Sequence, residues 1–350
     1  MSDLPTTRRA VLIHGDGSVS VGEVPMPELG PKEVVVQTAV SLISSGTETG
    51  GLRARRENPS EAAPRPTGYS TAGTIIAVGD EVSEFEVGQR VIGMAGECYN
   101  HCDFNVGHPM VTVPIPDGVS YDAVMVCLAG TSMQAVRRLG PKLGEFYAIV
   151  GQGLVGQFAT QLITLSGGRV AAVDLDAKRL EVALAHGAEI AINPAEQDLT
   201  ATLRAWAEGE GIDGSILAYG GPGTEVMQQL SAAALKAPDG HQVGNMVVVG
   251  GIRAELSFPV PFGNMDVRPS SRTGPGYHDP AYHMGQDYPR AYVRWSTRRN
   301  FVELLRRVAD GSFRVSDLIS HRFAFEDAGR AYDMIVEGSE WNLGVLLEYS

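Results

Sequence analysis

Three kinds of feature are scarce in this sequence: long apolar runs, cysteines and basic residues. No run of 18 or more apolar residues occurs, so we expect no transmembrane helix. The N-terminus lacks the apolar core and the small-residue cleavage site of a signal peptide. The three cysteines, Cys98, Cys102 and Cys127, are too few for a disulfide framework and fit a reducing compartment. We therefore expect a cytoplasmic protein that is not embedded in a membrane.

The charge balance is acidic. Lys and Arg together number 28 against 41 Asp and Glu, which gives a formal net charge of -13 at pH 7. A surface of this sign disfavours nucleic acid and anionic membranes, so we expect neither as a partner. The rest of the composition, 43% hydrophobic and 20% charged, is that of an ordinary globular protein. With 350 residues the chain is long enough for two domains, and a small molecule is the expected ligand.

The hydrophobic pattern changes style twice along the chain. The first part has short runs with period-two alternation, which predict a β-rich region, and a helix at about 121–139. Apolar strands then alternate with helices. The predicted strands are 147–150, 169–176, 189–194, 213–221 and 245–252, and the predicted helices are 154–167, 177–187, 199–208 and 224–235. This alternation indicates a buried parallel sheet.

The C-terminal part returns to the first style. Residues 261–294 are predicted to be irregular and to line a site or an interface, because so long a stretch is unusual in a compact domain. A helix at 297–309, a strand at about 321–327, a helix at 328–338 and a last strand at 342–349 follow. We expect an α/β protein in which a Rossmann domain is inserted into a split outer domain. The predicted bounds are 1–129 and 293–350 for the outer domain and 130–292 for the Rossmann domain.

A glycine motif follows the first apolar strand. Gly151, Gly153 and Gly156 form a G-x-G-x-x-G between that strand and a helix, with Leu154 and Val155 inside it. The first glycine permits a tight turn, the second lets a pyrophosphate approach the backbone, and the third allows close packing of helix on strand. The start of the helix supplies N–H donors and a positive dipole. The motif predicts a dinucleotide site.

An acidic residue ends the next strand. Asp174 lies about 20 residues after the glycine motif, where a carboxylate accepts hydrogen bonds from the adenine ribose and repels a 2′-phosphate. We therefore expect NAD(H) rather than NADP(H). Lys178 follows closely and is a further candidate contact, although a solvated helix position is its ordinary interpretation. Tyr219 and Gly250, after the fourth and fifth strands, complete the predicted cofactor residues.

The order of these regions resembles the medium-chain dehydrogenase/reductase superfamily. The motifs that carry the resemblance are at 44–48 (SSGTE), 66–82, 85–91, 113–120 and 318–333. The resemblance covers nearly the whole chain. It implies a GroES-like β-rich catalytic domain split by an inserted Rossmann parallel-sheet domain that binds NAD(P).

The departures from that family concern zinc. Zinc-dependent members have Cys-Gly-Thr-Asp where this chain has 45–48 (SGTE), and Gly-His-Glu where it has 68–70 (GYS). The third ligand would fall near Cys127, and one thiol cannot hold a catalytic zinc, which needs about three protein ligands. The structural zinc lobe needs four cysteines, and only Cys98 and Cys102 lie in that region. We predict neither a catalytic nor a structural zinc.

A closer resemblance exists within the superfamily. Residues 43–48, 68–73, 99–101 and 274–295 resemble zinc-lacking dehydrogenases that form the N-terminal half of two-part oxidoreductases. The second half of those proteins is of the sugar or cyclitol dehydrogenase type. The resemblance implies a polyhydroxylated substrate, a homodimer or homotetramer, and a separate sugar-dehydrogenase-type protein as a possible partner.

Without zinc, side chains must move the carbinol proton and stabilise the developing alkoxide. His101 is the candidate acid–base residue, because an imidazole titrates near neutrality. The other catalytic candidates stand at or beside the family's ligand positions: Ser45, Thr47, Glu48 and Tyr69. The candidate substrate residues are Tyr99, Asn100, Arg272, Tyr277 and His278. A dimer interface is the alternative role of the segment 261–294, which holds the last three.

Several functions fit these residues. The first is a zinc-independent, NAD-dependent oxidoreductase that interconverts a secondary alcohol and a ketone on a sugar, a cyclitol or a related biosynthetic intermediate. A zinc-free quinone or enoyl-type reductase is an alternative, although Asp174 and the polar candidates argue against it. An epimerase or eliminase that uses tightly bound NAD for transient oxidation is not separable by sequence. A cofactor-binding sensor or partner subunit is the weakest reading.

Overall fold

The computed structural model describes residues 4–350 and divides them into two compact units. The outer unit comprises 4–128 and 274–350, and the inserted unit comprises 129–273. The predicted fold class, a GroES-like β-rich domain split by a Rossmann domain, is confirmed. The first division lies one residue from the predicted one. The second division lies at 273/274, well before the predicted 292/293, because residues 274–296 contact the outer unit.

The N-terminal part of the outer unit is mostly strand. Its elements are β1 (Thr7–Ile13), β2 (Val19–Pro25), β3 (Val34–Ile43), α1 (Ser45–Glu57), β4 (Arg65–Pro66), β5 (Ser70–Val78), β6 (Arg90–Met94), β7 (Phe104–Gly107) and β8 (Thr112–Pro114), followed by α2 (Met125–Leu139), which continues into the inserted unit. Short 3₁₀ turns lie at Pro109–Val111 and Tyr121–Val124. The alternation of buried and exposed positions along β1 matches the predicted period of two.

Helix α1 was not predicted from the sequence. Ser44 is its N-cap residue, Glu48 lies in its first turn, and Arg55 and Arg56 lie in its last turn, so the charges suit the helix dipole. Leu52 is buried on its inner face. The three glycines within the helix lower its intrinsic helix propensity, which explains why the pattern did not indicate it.

The inserted unit has Rossmann topology. Its elements are β9 (Phe146–Val150), α3 (Leu154–Leu165), β10 (Arg169–Val173), α4 (Ala177–Ala185), β11 (Ile190–Ile192), α5 (Leu199–Trp206), β12 (Gly214–Leu217), β13 (Gly221–Pro222), α6 (Thr224–Ala233), β14 (Asn245–Val248), β15 (Ile252–Arg253) and β16 (Asp266–Pro269). The six-stranded parallel sheet has the order β11-β10-β9-β12-β14-β16. The strand order reverses between β9 and β12, which is where such sheets bind ligands.

The five apolar strands of this sheet were predicted, but β16 was not. Strands β9, β10, β12 and β14 are almost wholly buried, so their continuous apolar runs were informative. Strand β16, DVRP, is an edge strand with a charged residue at each of two positions and a terminal proline. Its composition therefore carries no strand signal.

The C-terminal part completes the outer unit. Its elements are α7 (Pro280–His283), α8 (Thr297–Ala309), β17 (Ile319–Ala324), α9 (Ala328–Glu337) and β18 (Gly344–Glu348), with 3₁₀ turns at Ser316–Leu318 and Phe325–Asp327. Strand β18 pairs with β3, and the sheet runs β17-β18-β3-β5-β6-β8 with β7 also on β3. Strands β2, β1 and β4 form a second sheet. No helix in residues 4–350 is both long and apolar enough to cross a membrane.

Segment 274–296 belongs to the outer unit because its polar contacts lie there, and this corrects the predicted boundary. The Tyr282 hydroxyl donates to Ser296 Oγ at 3.0 Å, and the Thr297 N–H donates to the Pro275 carbonyl at 2.9 Å. His283 Nδ1 lies 3.2 Å from Glu97 Oε1 and 3.2 Å from His108 Nδ1. Apart from α7, the segment is irregular, as predicted.

We expect Tyr282→Phe to destabilise the outer unit by about 1 kcal/mol, because it leaves Ser296 Oγ and the Arg298 N–H without their buried partner. Urea unfolding of the purified chain measures the change. Tyr292→Phe is the matched control, since Tyr292 is 89% exposed and its removal should cost less than about 0.5 kcal/mol. Equal effects of the two substitutions would contradict this account of the segment.

Candidate cofactor site and buried polar centre

The glycine turn of the inserted unit has the geometry that its sequence predicted. Gly151 has φ +88°, in the left-handed region, where a side chain would also meet the backbone of Ala218. A Cβ on Gly156 would lie 1.9 Å from the Gly151 carbonyl oxygen, so helix α3 packs directly on the turn. Within residues 4–350, no atom outside Gly153 and its chain neighbours lies within 4 Å of where a Cβ on Gly153 would be. The turn therefore leaves an open cradle at the start of α3.

Asp174 is held beside this cradle by backbone donors. The Gln152 N–H donates to Asp174 Oδ2 at 2.6 Å, and the Asp176 N–H donates to Oδ1 at 2.9 Å. Asp176 in turn caps α4 by accepting from the N–H groups of Lys178 and Arg179. These bonds orient the Asp174 carboxylate and leave it half exposed, with lone pairs available for a ligand.

The remaining predicted cofactor residues of this unit lie on the same end of the sheet. Leu154 and Val155 open helix α3, and Tyr219 follows β12. Gly250 follows β14, and a Cβ there would lie 1.7 Å from the Tyr219 carbonyl, so only glycine permits this approach. The Tyr219 hydroxyl donates to the Pro222 carbonyl at 2.9 Å. Lys178 is exposed on α4, where its backbone joins the Asp176 cap.

Glu48 is the centre of a buried polar network in the outer unit. One carboxylate oxygen, Oε1, accepts from the Ser44 N–H at 2.8 Å. The other, Oε2, accepts from the Tyr332 hydroxyl, from Thr67 Oγ1 at 3.4 Å, and contacts His101 Nε2 at 3.0 Å. Both Glu48 and Tyr332 are buried. The network ties the start of α1 to residue 67 and to helix α9.

His101 lies wholly inside this network. Both ring nitrogens are engaged, Nε2 with Glu48 and Nδ1 with Ser41 Oγ at 2.7 Å, and the side chain is 0% exposed. Ser41 Oγ also lies 3.0 Å from the Tyr349 hydroxyl. The His101 N–H donates to the Thr67 carbonyl at 2.8 Å. A ring with both nitrogens occupied and no exposed surface is placed to hold its neighbours in position.

Electrostatics keep the Glu48 carboxylate charged. Burial by itself raises the pKa of a carboxyl group, but here the adjacent His101 ring and the hydrogen bonds from Tyr332 and Ser44 outweigh it. The pKa of Glu48 is accordingly below its ordinary value. Burial and the nearby Glu48 charge raise the pKa of Tyr332, so its hydroxyl stays protonated and can donate.

Three of the predicted hydroxyl residues lie at the edge of this network with partial or full exposure. Ser45 opens α1 and is half exposed, and Thr47, two residues later, is exposed. Tyr69 is half exposed, and the Gly68 carbonyl before it accepts from Asn100 Nδ2 at 3.0 Å. Gly68 has φ +94°, and a Cβ there would lie 2.5 Å from the His101 ring. Glycine is therefore required where the segment passes over His101.

The donors at the family's zinc positions do not fit a zinc ion. Ser45 and Tyr69 offer hydroxyl groups where thiolate and imidazole would be needed. Cys127 is 0% exposed, and burial raises the pKa of its thiol well above the ordinary value, whereas zinc binds the thiolate. Burial also raises the pKa of Cys98 and of Cys102 to about 12. Across residues 4–350, no group of three or more His, Cys, Asp or Glu side chains is arranged to hold a metal ion.

The predicted substrate residues are dispersed. Tyr99 is 0% exposed, and its hydroxyl bonds to Thr112 Oγ1, so the structure places it in the core rather than against a ligand. Arg272 is exposed in the inserted unit with φ +59°. Tyr277 is buried in the outer unit, and His278 next to it is exposed. Asn100 is half exposed, and its side-chain amide donates to the Gly68 carbonyl next to Tyr69.

Sequence reasoning missed several members of the network around Glu48 and His101. Ser41, Tyr332 and Tyr349 all join the network. Tyr332 and Tyr349 lie more than 280 residues after Glu48, and each sits in a stretch that reads as ordinary helix or strand. The only local signal is that Tyr332 and Tyr349 are polar-tipped residues on otherwise apolar faces.

Comparisons with known proteins agree with the fold. The family model described as "Alcohol dehydrogenase GroES-like domain" matches residues 30–136, and the model described as "Zinc-binding dehydrogenase" matches residues 155–274. The chain is 26% identical to a sorbitol dehydrogenase of Bacillus subtilis over 292 residues, covering 74% of this chain and 80% of that protein.

Two solved structures have the same fold at low identity. One is an alcohol dehydrogenase of Escherichia coli complexed with NADH, with a TM-score of 0.76 and 20% identity, covering 98% of this chain and 100% of that one. The other is described as a zinc-binding dehydrogenase from Sinorhizobium meliloti bound to NADP, with a TM-score of 0.77 and 21% identity over the same shares.

We expect Glu48→Gln to destabilise the chain by about 3 kcal/mol at neutral pH, because it removes the charge that the buried His101 and Tyr332 face. The pKa of Glu48 is lower in the folded chain than in the unfolded chain, so its carboxylate stabilises the fold at any pH above the unfolded-state pKa. This stabilisation is lost as the pH falls through the folded-state pKa. The gap in the free energy of unfolding between the Glu48→Gln variant and the unchanged chain should therefore narrow as the pH falls.

Urea unfolding at a series of pH values measures that gap. Glu57→Gln is the control, since Glu57 is an exposed carboxylate at the end of the same helix and its loss should cost less than about 0.5 kcal/mol at every pH. A gap for Glu48→Gln that stays constant down to acid pH would refute the charged state of Glu48.

Proposed function

We propose that this chain, a member of the medium-chain dehydrogenase/reductase superfamily, is a zinc-independent, NAD-dependent oxidoreductase. It interconverts a secondary alcohol and a ketone on a small polar substrate such as a sugar or a cyclitol. The observation that carries the proposal is a complete dinucleotide turn in the inserted unit combined with hydroxyl side chains at the metal positions of the outer unit. A dehydrogenase with that combination must polarise its substrate through hydrogen bonds.

The inserted unit fits a dinucleotide. The open cradle at Gly153 and the N–H groups that start α3 would hold the pyrophosphate. The Asp174 carboxylate, already oriented by two backbone donors, would accept from the adenine-ribose hydroxyls. When bound, the nicotinamide supplies or accepts the hydride.

The same carboxylate supports NAD(H) over NADP(H). A 2′-phosphate would bring up to two further negative charges beside the Asp174 carboxylate, which repels them. The two solved neighbours, one with NADH and one with NADP, show that this fold accommodates either nucleotide in other chains. Residue chemistry rather than the fold therefore supports the preference.

In the outer unit the substrate oxygen would exchange its proton with hydroxyl groups. Thr47 and Ser45 at the start of α1 and Tyr69 are the exposed or half-exposed candidates. Each can donate a hydrogen bond to the developing alkoxide, and each can relay the carbinol proton to solvent by accepting it while releasing its own. Glu48 and His101 act as positioning residues in this proposal, because their contacts fasten the two segments that carry those hydroxyls.

The donor chemistry supports a reaction without zinc. Ser45 and Tyr69 are poor ligands, and the Cys127 thiol is kept protonated by burial. The substrate class rests on weaker support. The relative from Bacillus subtilis is described as a sorbitol dehydrogenase, so a polyhydroxylated compound is the first class to assay. Zinc content, activity in chelator and turnover without added nucleotide together test the proposal against a zinc enzyme and an enzyme with tightly held NAD.

We expect Asp174→Asn to weaken NADH binding by about tenfold and NADPH binding much less, because an amide removes the charge that favours the free ribose hydroxyls. Fluorescence titration of both nucleotides measures the two affinities. Asp176→Asn is the matched control, since Asn caps a helix as well as Asp does and α4 should be undisturbed. Equal weakening of both nucleotides by Asp174→Asn would count against a role in cofactor selection.

We expect Tyr69→Phe to lower kcat by about a hundredfold, because a hydrogen-bond donor to the substrate oxygen is lost. The assay follows NADH formation with sorbitol and other polyols in enzyme treated with a chelator, whose metal content is measured in parallel. Tyr292→Phe, an exposed tyrosine, should leave kcat unchanged. Activity that disappears in chelator and returns with added zinc would overturn the proposal, as would an unchanged kcat for Tyr69→Phe.

A further inference from the structure

A cationic, aromatic groove lies on the outer unit. It is lined by Arg290, Ala291, Arg294 and Trp295 and has a volume of about 490 Å³. Ligand sites in proteins commonly measure about 300–1,000 Å³. The groove is therefore large enough for a small organic molecule, and all of its lining belongs to one compact unit.

The two guanidinium groups of the groove lack internal partners. Within residues 4–350, neither Arg290 nor Arg294 makes a side-chain hydrogen bond, an ion pair or a ring contact, and both are exposed. Tyr292 between them is 89% exposed. The chain as a whole has a net charge of -13, so two uncompensated positive groups on one loop are an exception to its charge pattern.

The loop that presents these side chains is held rigidly from behind. The Arg299 guanidinium donates to Asp287 Oδ2, to the Tyr288 carbonyl at 2.8 Å and to the Val293 carbonyl. The N–H groups of Tyr292 and Val293 both donate to the Pro289 carbonyl at 3.0 Å, which closes a tight turn. The backbone is thus fixed on both sides of the exposed residues.

Aromatic packing extends this support. The Tyr288 ring stacks on Tyr282, with centroids 5.1 Å apart and an angle of 14° between planes, and its hydroxyl donates to Asp279 Oδ2. Asp279 also caps α7 by accepting from the Ala281 and Tyr282 N–H groups. A loop fixed in advance loses little conformational entropy when it binds a ligand.

We propose that this groove binds a small organic oxyanion, a phosphate or carboxylate carried on a sugar-like ring. Arginine presents planar, forked donors that match both oxyanions bidentately, and two of them face the groove. The half-buried Trp295 offers an apolar surface on which the ring can lie. The site does not depend on the proposed redox activity, and its occupant is either a substrate group or an effector.

The test is calorimetric titration of the full chain with four probes: glucose 6-phosphate, glucuronate, inorganic phosphate and glucose. Each titration is run with and without saturating NADH, so that binding at the dinucleotide turn is recognised by competition. We expect at least one of the two ring-bearing anions to bind with a Kd below about 1 mM and to bind more tightly than phosphate or glucose. Which of the two binds identifies the oxyanion.

The double variant Arg290→Ala/Arg294→Ala should weaken that binding at least about tenfold, because both charge-assisted forks are removed. The matched control is Arg65→Ala/Arg253→Ala, which removes two other exposed arginines that make no side-chain ion pair among the described residues. It should change the Kd less than about twofold. Thermal unfolding confirms that both doubles fold, as expected for exposed side chains.

Trp295→Phe supplies a second readout. The ligand should change tryptophan fluorescence in the unchanged chain, and that change should vanish in Trp295→Phe. The proposal is overturned if neither ring-bearing anion binds at about 10 mM, or if both arginine doubles bind equally well. Binding of glucose as tightly as of the anions overturns the oxyanion part, and binding of phosphate as tightly as of glucose 6-phosphate overturns the ring part.

Discussion

The outer unit depends on one buried carboxylate, that of Glu48. The Glu48 carboxylate is buried, and a bare carboxylate in such a place would be prohibitively costly. Four partners from separate parts of the chain surround it: the Ser44 N–H, the Thr67 hydroxyl, the His101 ring and the Tyr332 hydroxyl. Helix α1, the segment before Tyr69 and helix α9 are therefore positioned by a single anion.

In the function we propose, this arrangement separates the positioning residues from the residues that would contact the substrate. His101 was the acid–base candidate from the sequence, yet both of its ring nitrogens are already engaged in the interior. Ser45, Thr47 and Tyr69 emerge at the margin of the same network with partial or full exposure. Here the buried network performs the ordering, and polarisation falls to hydroxyl groups in the function we propose.

The parts of the molecule that sequence could predict are those with short-range causes. The dinucleotide turn was readable because Gly151, Gly153 and Gly156 each answer a local backbone requirement, and Asp174 sits at a fixed spacing from them. The buried strands of the inserted sheet were readable from their apolar runs. Helix α1 was not, because its glycines weaken the helical signal, and edge strand β16 has too few apolar residues to be recognised.

The long-range features could not be predicted. The division at 273/274 depends on contacts such as Tyr282 to Ser296, which composition does not reveal. The burial of His101 was not predicted either, because burial is a property of the folded unit. Tyr332 illustrates the limit most clearly, since its partner Glu48 is 284 residues away and no spacing rule links them.

The division of the outer unit also has a consequence for biosynthesis. The inserted unit, 129–273, is one continuous stretch, so it can complete its core while the ribosome is still making the rest. The outer unit cannot, because β18 and Tyr332 are translated after the inserted unit and both join elements that are translated before it. Until they emerge, Glu48 lacks one of its donors and strand β3 has an open edge. A nascent chain that stalls after residue 273 and before β18 would therefore hold one unit whose residues are all translated and another whose sheet has an unprotected edge.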